Sequence, residues 1–451
     1  MRLMKRVLTI TIAGLLWHTL SLAQEVRKCG YDLVKAPLLK LNPNFEQELK
    51  KSHLNVAKGT NTTTSATTIP VVFHIVLDSS QIAQIGDTSG IADRVNTQLQ
   101  VLNADYNKEN ADSSIIPTPF KALYGNVRIK FALAHTDPIG NASRGWSVTK
   151  ITANGFDYNA NPNDPAGAAK HDSTGGADAW DVTRYLNIWV INFLQGPLPS
   201  GILGLTIPPA FTVAPNDQYP ANEMGVLLNY GAFGKRTSAT EYFYQHKYDK
   251  GRTLTHEVGH YFGLFHTWGD DDGKCPGDVG GSDDGISDTP PEANANYSCR
   301  SFPYYDVCSS TGNGVMYMNY MDYTDDSCMN MFTLEQVNVM DSKLNPSGES
   351  YNLSRHPELL QYPGTQLPTS DNYVIGPNPS TGIFYIMFED VPTDLQSVAV
   401  TNILGWKVYE ENEVGQQNTT FPVDITGMPK GLYFLQIRFS NHTELRKIVL
   451  R

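Results

Sequence analysis

Apolar and polar residues alternate between residues 67 and 230 in a pattern that predicts a sheet backed by a helix. Strands are predicted at 69–76, 127–133, 185–192, 202–207 and 226–230. Apolar side chains recur at helical spacing from Ile91 to Tyr106, which predicts an amphipathic helix. Another helix is predicted over about 250–262. This order of elements predicts an α/β (α+β) domain with a twisted mixed sheet, which we place at residues 67–345.

The first 23 residues have the three parts of a signal peptide. Basic residues precede an apolar run at 7–17, and a segment with small residues suited to cleavage ends at Ala23. Residues 24–66 are polar with few strand signals, and 60–65 is typical of exposed linker, so we interpret 24–66 as a pro-segment. The leader predicts that the mature protein is exported.

The pattern changes again after Asn345. Residues 346–370 contain Pro, Gly, Ser, Asn and Gln without periodicity, which is typical of a linker. Residues 371–451 alternate short strands with turns, which predicts a small all-β sandwich. Its strands are predicted at 383–388, 398–402, 406–410, 431–439 and 447–450. A plain carbohydrate-binding sandwich is the alternative, although no cluster of exposed aromatic residues marks a sugar platform.

The composition is that of an ordinary globular protein. The 451 residues include 40% hydrophobic and 18% charged residues, enough for two or three domains. The net charge of −12 argues against nucleic acid as a partner. Beyond the leader, no apolar stretch approaches the ~20 residues of a membrane helix.

Candidate metal-binding and catalytic side chains are concentrated in the stretch His256-Glu257-Val258-Gly259-His260, which is followed by Gly263 and His266. Residues four apart share one face of a helix, so His256 and His260 can bind one metal ion together. Glu257 lies beside that face, where it can accept a proton from a bound water. The alternative is a solvated histidine-rich helix, but the apolar residues around the histidines argue against it.

The third histidine cannot reach the metal along the same helix, because ten residues of helix would place it ~15 Å from His256. The chain must turn between His260 and His266, and Gly263 can adopt a positive φ without steric cost. Three neutral imidazoles with one open position are typical of catalytic zinc. The stretch therefore predicts a zinc hydrolase.

Five cysteines in an exported chain leave one without a partner. Cys275, Cys299, Cys308 and Cys328 follow the predicted zinc helix and can form two disulfides, whereas Cys29 stands alone in the pro-segment. A thiolate is a good fourth zinc ligand and would displace the catalytic water. We therefore expect Cys29 to bind zinc in an inactive precursor, with a stray free thiol as the alternative.

Two further segments carry candidate chemistry. The loop 283–290 is dense in carboxylate, hydroxyl and carbonyl oxygens, which suits Ca²⁺, although a simple Asx-turn loop fits nearly as well. In 319–323, Met321 can form an apolar floor beneath the metal, and the Tyr323 hydroxyl can stabilise an oxyanion. A helix is predicted to begin at Thr333.

These motifs closely resemble the pappalysin family of metzincins over roughly residues 67–345. The resemblance implies zinc on His256, His260 and His266, with Glu257 as general acid/base. It also implies Met321 as the Met-turn residue, Tyr323 as the transition-state stabiliser and a cysteine switch at Cys29. Disulfides Cys275–Cys299 and Cys308–Cys328 are implied too, as is calcium near Asp283, Asp284, Ser287 and Thr289. The family pattern further implies that 201–208 is a sheet edge to which extended peptide substrates bind.

The C-terminal region resembles sorting domains of the type IX secretion system. The resemblance rests on the Asn-Pro-Ser-Thr-Gly segment 378–382, on Gly-Leu-Tyr-Phe at 431–434 and on the final residues 447–451. It implies a Gram-negative bacterial source and a protein secreted to the medium or to the cell surface.

The predicted function is zinc-dependent hydrolysis of peptide bonds, with Glu257 moving the proton. An adhesin that keeps the fold without catalysis would lack a ligand or the base, and none is missing here. A zinc hydrolase acting on other amides, such as those of cell walls, is the second alternative.

Overall fold

The structure, a computed structural model, describes most of the chain after residue 28. The described residues are 29–57, 66–161, 163–195, 198–199, 201–212, 218–271, 273–361, 373–388, 392, 395–412, 419–440 and 443–451. The predicted signal peptide 1–23, the predicted stretch 60–65 and residues 362–370 of the predicted linker lie outside them.

Helices occupy both ends of the first domain, and strands recur throughout the chain. The helices are α1 (Tyr31–Leu41), α2 (Phe45–Ala57), α3 (Ser79–Gln84), α4 (Asp87–Tyr106), α5 (Thr118–Lys121), α6 (Arg252–Tyr261) and α7 (Leu334–Leu344). The strands are β1 (Thr67–Asp78), β2 (Ile129–Leu133), β3 (Trp146–Ile151), β4 (Phe156–Asp157), β5 (Leu186–Ile191), β6 (Phe193–Gln195), β7 (Leu198–Pro199), β8 (Gly204–Ile207), β9 (Gly225–Asn229), β10 (Tyr373–Gly376), β11 (Ile383–Phe388), β12 (Leu395–Asn402), β13 (Lys407–Glu411), β14 (Thr420–Asp424), β15 (Gly431–Phe439) and β16 (Thr443–Leu450).

The first domain is built on a six-stranded mixed sheet. Its order is β2–β1–β5–β9–β8, and β3 pairs with the second half of β1. All pairings are parallel except that of β8 with β9, which is antiparallel. The inner strand β5 is buried at every position, because parallel strands are covered on both faces. The predicted mixed sheet is confirmed, and β8 forms its edge.

Helices α4 and α6 pack together against one face of the sheet. Val95 and Leu102 of α4 share a core with Leu254 and Val258 of α6. The amphipathic spacing read from the sequence therefore describes the buried face of α4. Helix α6 also lies against β8, which brings the predicted metal-binding residues next to the sheet edge.

Helix α7 begins after Thr333, as predicted. The Thr333 hydroxyl accepts a hydrogen bond from the Gln336 amide, and the Gln336 side chain accepts one from the Thr333 amide. This capping box satisfies two amide groups that the helix itself leaves unpaired.

Helices α1 and α2 were not predicted, because the pro-segment was interpreted from its polarity alone. In α1, Tyr31, Val34 and Leu38 recur at helical spacing and are buried. Helix α1 packs on β8, and α2 packs on α7. Part of the predicted linker is also packed: Leu359 is buried beside β1, and its carbonyl accepts from the His135 amide.

The C-terminal strands form the predicted small β-sandwich. One sheet has the order β10–β11–β14 and the other β13–β12–β15–β16. Ile386 and Val423 from the first sheet share a core with Val400 and Leu435 from the second. Strands β10 and β14 were missed by the sequence reading. Among the described residues, no helix has the length and apolar character needed to cross a membrane.

The disulfide pairing implied by the family resemblance is wrong. The structure joins Cys275 to Cys308 and Cys299 to Cys328, with Cα–Cα distances of 5.2 and 5.6 Å that suit a disulfide. Four cysteines allow three pairings, and sequence spacing does not choose among them. The folded loop decides, because it carries Cys308 against the Lys274 carbonyl and Cys299 against Ser327. Cys29 is the free cysteine.

Candidate active site

Three imidazole nitrogens converge on one point beside β8. The Nε2 atom of His260 lies 3.1 Å from that of His256 and 3.0 Å from that of His266. All three side chains are fully buried. The structure thus brings together the three histidines that the sequence singled out.

The opposite nitrogens of the same rings show which tautomers are present. The Nδ1 atoms of His256 and His260 lie 2.7 Å from the carbonyl oxygens of Tyr320 and Leu264. The Nδ1 atom of His266 lies 2.7 Å from Asp270 Oδ1. Because carbonyl and carboxylate oxygens only accept hydrogen bonds, each Nδ1 carries the proton.

The three Nε2 lone pairs therefore face one another, an arrangement that repels unless a cation lies between them. Ligands at tetrahedral Zn–N distances of about 2.0–2.1 Å would be about 3.3 Å apart, close to the observed separations. Burial and the neighbouring His266 hold the pKa of His260 well below its usual value, so its ring stays neutral. The residues fit zinc.

Glycines at two positions allow this geometry. Gly263 has φ +90° immediately after α6, which turns the chain and returns His266 to the site, as predicted. Gly259 faces the Met321 sulfur so closely that a Cβ at residue 259 would lie 2.5 Å from it. Met321 thus lies directly beneath the active-site helix, where the sequence placed an apolar floor.

Glu257 is fully buried between α6 and the sheet edge. Its Oε2 atom accepts a 2.7 Å hydrogen bond from the Thr206 hydroxyl on β8. A Cβ on Gly204 would lie 2.4 Å from Glu257 Oε1, so only glycine leaves room for the carboxylate at that position. Thr206 and Gly204 were not singled out by the sequence reading, although both fall in its predicted edge strand.

Cys29 joins the histidine cluster from the pro-segment. Its Sγ atom and the three histidine nitrogens all lie within 4.8 Å of one another. The Gly30 amide donates a 2.8 Å hydrogen bond to the Gly204 carbonyl, so the chain around Cys29 forms a parallel bridge to the edge strand. Burial, followed by the charge of Glu257, raises the pKa of the Cys29 thiol well above its usual value.

Tyr323 and Tyr31 enclose the same point. The Tyr323 hydroxyl donates to the Cys29 carbonyl oxygen at 3.4 Å. The Tyr31 ring stacks on that of His260, with centroids 4.0 Å apart and planes 10° apart. Tyr31 was missed in the sequence, although its place two residues after Cys29 indicated that it would lie close to the metal-binding residues.

A buried charge network supports α6 from behind. Arg252 donates to both Asp112 carboxylate oxygens and to Asp105, and Asp105 also accepts from the Tyr320 hydroxyl at 2.8 Å. The Tyr320 carbonyl in turn binds His256. Burial raises the pKa of Asp105 even though Arg252 opposes the shift. The network links α4 and the Met321 turn to His256, a predicted metal ligand, and no local sequence motif predicted it.

The proposed calcium residues form a turn network in this structure. Asp284 accepts from the Thr289 hydroxyl and from the Ile286 amide, and Asp283 accepts from the Gly285 amide. The Ser287 hydroxyl donates to Glu335. Two groups of three or more His, Cys, Asp and Glu side chains converge closely enough to hold a metal among the described residues, and neither includes Asp283 or Asp284.

Residues 170–345 match the peptidase M43 family, described as pregnancy-associated plasma protein-A. Mature mirolysin from Tannerella forsythia, solved with a cleaved peptide, is 40% identical with a TM-score of 0.57, and the match covers 66% of this chain and 100% of mirolysin. The chain belongs to the pappalysin family. The catalytic domain of this pappalysin accordingly has a metzincin-like fold.

Two further relatives of this pappalysin are informative. A mutant of promirolysin from Tannerella forsythia is 37% identical with a TM-score of 0.62, over 74% of this chain and 100% of promirolysin. An extracellular metalloprotease from Arthroderma benhamiae is 28% identical over 62% of this chain and 73% of its own length. Residues 374–451 match a secretion system C-terminal sorting domain. This pappalysin is a zinc metalloprotease, a hydrolase, with a sorting domain that indicates secretion.

Proposed function

We propose that the protein is a secreted zinc endopeptidase, made as a zymogen, in which Glu257 is the general acid/base. The observation that carries the proposal is the convergence of three deprotonated Nε2 atoms, with the buried Glu257 carboxylate one residue from the first of them. His256, His260 and His266 would hold the zinc. Zinc supplies a Lewis acid that activates water and polarises the scissile carbonyl.

The chain's own residues then move the proton and hold the charge. Glu257 accepts a proton from the attacking water and passes it to the leaving amine. The Thr206 hydroxyl, bonded to Oε2, orients the carboxylate for both steps. The Tyr323 hydroxyl, which donates to the Cys29 carbonyl in the zymogen, donates to the oxyanion of the substrate once the pro-segment has left.

The pro-segment keeps the enzyme latent through three contacts. Cys29 would hold the metal together with the three histidines and exclude the catalytic water, and a bound metal would favour the thiolate despite the raised pKa of the buried thiol. Gly30 pairs with the edge strand that an extended substrate would use. The Tyr31 ring covers His260. A substrate therefore cannot bind until residues near 24–66 are removed.

The remaining assignments concern export and calcium. We propose a signal peptide at 1–23, a catalytic domain at 67–345, a linker at 346–370 and a sorting domain at 371–451 that is recognised by type IX secretion machinery of a Gram-negative bacterium. Protein and peptide substrates are expected outside the cell or at its surface. Calcium near Asp283, Asp284, Ser287 and Thr289 stays a prediction. A shift in melting temperature on adding Ca²⁺, lost in Asp284→Asn, would support it.

The deciding experiment compares cleavage of a denatured protein by the wild type, Glu257→Gln and Cys29→Ala. We expect chelator-sensitive cleavage by the wild type, none by Glu257→Gln despite bound zinc, and faster onset in Cys29→Ala. Full activity of Glu257→Gln would refute the mechanism. A zinc-loaded, processed wild type that cleaves no peptide bond would favour the adhesin or the hydrolysis of other amides.

A further inference from the structure

Two buried carboxyl groups lie behind Tyr323 in the interior of the catalytic domain. Glu292 is 1% exposed, and Asp322, the residue before Tyr323, is fully buried. The Asn296 side-chain amide donates to Glu292 Oε1 and, at 2.9 Å, to Asp322 Oδ2. One amide group thus holds two acidic side chains together next to a residue of the candidate active site.

The two acids accept hydrogen bonds from different kinds of donor. Asp322 Oδ1 accepts from the main-chain amides of Asn296 and Tyr323, at 2.8 and 2.7 Å. Glu292 accepts from two side chains, the Asn296 amide at Oε1 and the Thr267 hydroxyl at Oε2. Because hydrogen bonds from main-chain amides stabilise the charged form of a carboxyl group, Asp322 is the member of the pair that is ionised.

The surroundings of Glu292 favour its protonated form. Burial, followed by the charge of Asp322, raises the pKa of Glu292 well above its usual value, and the hydrogen bond from Thr267 opposes the shift only in part. Asp306, whose carboxylate accepts from three main-chain amides, acts in the same direction as Asp322. Two carboxylates in one buried site cannot both ionise without a large penalty, so Glu292 keeps its proton.

The contacts of this glutamate connect two segments that border the histidine cluster. Thr267 lies between His266 and Trp268, whose rings stack with centroids 4.2 Å apart. The Trp268 and Tyr323 rings meet edge to face, with centroids 4.6 Å apart. Asp322 binds the Tyr323 amide from the other side. One buried acid therefore links the turn after the third histidine to the segment that carries the Tyr323 hydroxyl.

We propose that Glu292 is a positioning residue, which holds Tyr323 where its hydroxyl can stabilise the oxyanion by bridging Thr267 and Asp322. It acts as a carboxylic acid that donates its proton to Asp322 while its oxygens accept from Thr267 and Asn296. Tyr323 therefore cannot move relative to the turn after the third histidine without breaking a buried hydrogen bond. The proposal rests on the proposed function, in which Tyr323 donates to the substrate oxyanion.

The first test measures kcat and KM for one peptide substrate with enzyme activated from the full chain. We expect Glu292→Ala to lower kcat about tenfold or more, with KM and zinc content nearly unchanged, because the displaced contact is made only in the transition state. Glu292→Gln keeps a neutral side chain with a donor group and should recover most of that loss. Glu358→Gln is the matched control, because Glu358 is exposed and bonded to His356, and it should match the wild type.

A second background separates a role through Tyr323 from a purely structural one. In Tyr323→Phe the oxyanion contact is already absent, so the addition of Glu292→Ala should lower kcat no further. An equal loss in both backgrounds would overturn the proposal, as would wild-type kcat in Glu292→Ala or a Glu292→Gln enzyme no better than Glu292→Ala. If Glu292→Ala does not fold, Thr267→Val, which removes the donor to Glu292 and keeps the shape of the side chain, is measured in the same two backgrounds with the same expected result.

The protonation of Glu292 has a test that does not depend on activity. Infrared difference spectra compare the full chain with its Glu292→Gln variant at neutral pH, both carrying Glu257→Ala to prevent self-cleavage. The C=O band of a protonated carboxylic acid should appear only in the chain that retains Glu292. Bands of an ionised carboxylate in its place would overturn the proposal.

A failure of the proposed function gives a different result. A wild type that cleaves no peptide in a chelator-sensitive manner would remove the endopeptidase assignment and the positioning role together. Chelator-sensitive cleavage that Glu292→Ala leaves unaltered would remove the positioning role alone.

Discussion

His53 should make release of the pro-segment sensitive to pH. This residue of α2 is 3% exposed, its ring centroid lies 5.2 Å from that of Phe265, and its Nδ1 atom has no hydrogen-bond partner among the described residues. Burial, then Lys343 of α7 and Lys50 of its own helix, lower the pKa of His53 from 6.5 to about 3. Glu349 and Glu46 pair with those two lysines and do not bond to His53 in this structure.

The sign and size follow from proton linkage. Above pH 6.5 the imidazole is neutral both in the docked and in the released pro-segment, so docking carries no penalty. As the pH falls from 6.5 toward 3, only the released form takes up the proton, and docking weakens. At pH 5, about 1.5 units below the pKa of the imidazole in the released pro-segment, protonation favours release by about 2 kcal/mol. This free energy is roughly a 30-fold shift of the equilibrium toward release.

The assay measures how readily Cys29, the free cysteine, reacts with an aromatic disulfide reagent that remains active in acid. Glu257→Ala chains prevent self-cleavage, and His53→Leu in that background is the matched control. Between pH 7.5 and 5, labelling of the His53 protein should accelerate about 30-fold more than that of His53→Leu. Protonation of the Cys29 thiol affects both proteins equally. An identical pH dependence of labelling in the two proteins would therefore refute the reasoning.

Three further outcomes are expected. Gly204→Ala should lower kcat/KM at least 100-fold with zinc content unchanged, because the new Cβ would lie 2.4 Å from Glu257 Oε1; normal activity would contradict that placement. Tyr31→Ala should shorten the lag before activity appears, whereas Leu41→Ala, exposed on the same helix, should leave it unchanged. Asp105→Asn should lower the free energy of unfolding by about 3 kcal/mol in urea titrations, because Arg252 loses a buried charged partner. A loss below about 1 kcal/mol would show that Asp112 alone compensates the charge of Arg252.

Much of the fold and the convergence of the three histidines could be predicted because the signals are local. Two histidines four residues apart need only a helix, and Gly263 marks the turn that returns His266. The strands of the central sheet are apolar enough to stand out, and Thr333 marks the start of α7.

What could not be predicted depends on contacts between distant parts of the chain. The pro-segment helices pack on β8 and α7, far along the chain, although the helical spacing of Tyr31, Val34 and Leu38 in α1 was a local signal that was missed. Lys35 donates to Asp270 across 235 residues of sequence, and neither residue lies in a recognisable motif. The disulfide pairing likewise depends on the path of a loop without regular strands or helices among its described residues.

The interleaved order of the two disulfides has a consequence for a protease exposed to other proteases. The stretch between Cys275 and Cys328 is rich in exposed loop, where proteolytic nicks concentrate. With Cys275 joined to Cys308 and Cys299 to Cys328, every peptide bond in this stretch is spanned by at least one bridge. A single nick anywhere within it leaves both fragments covalently linked, including one beside the exposed Val307, where side-by-side pairing would have left a gap. Nicked molecules should therefore run as one species on a non-reducing gel and as two on a reducing one.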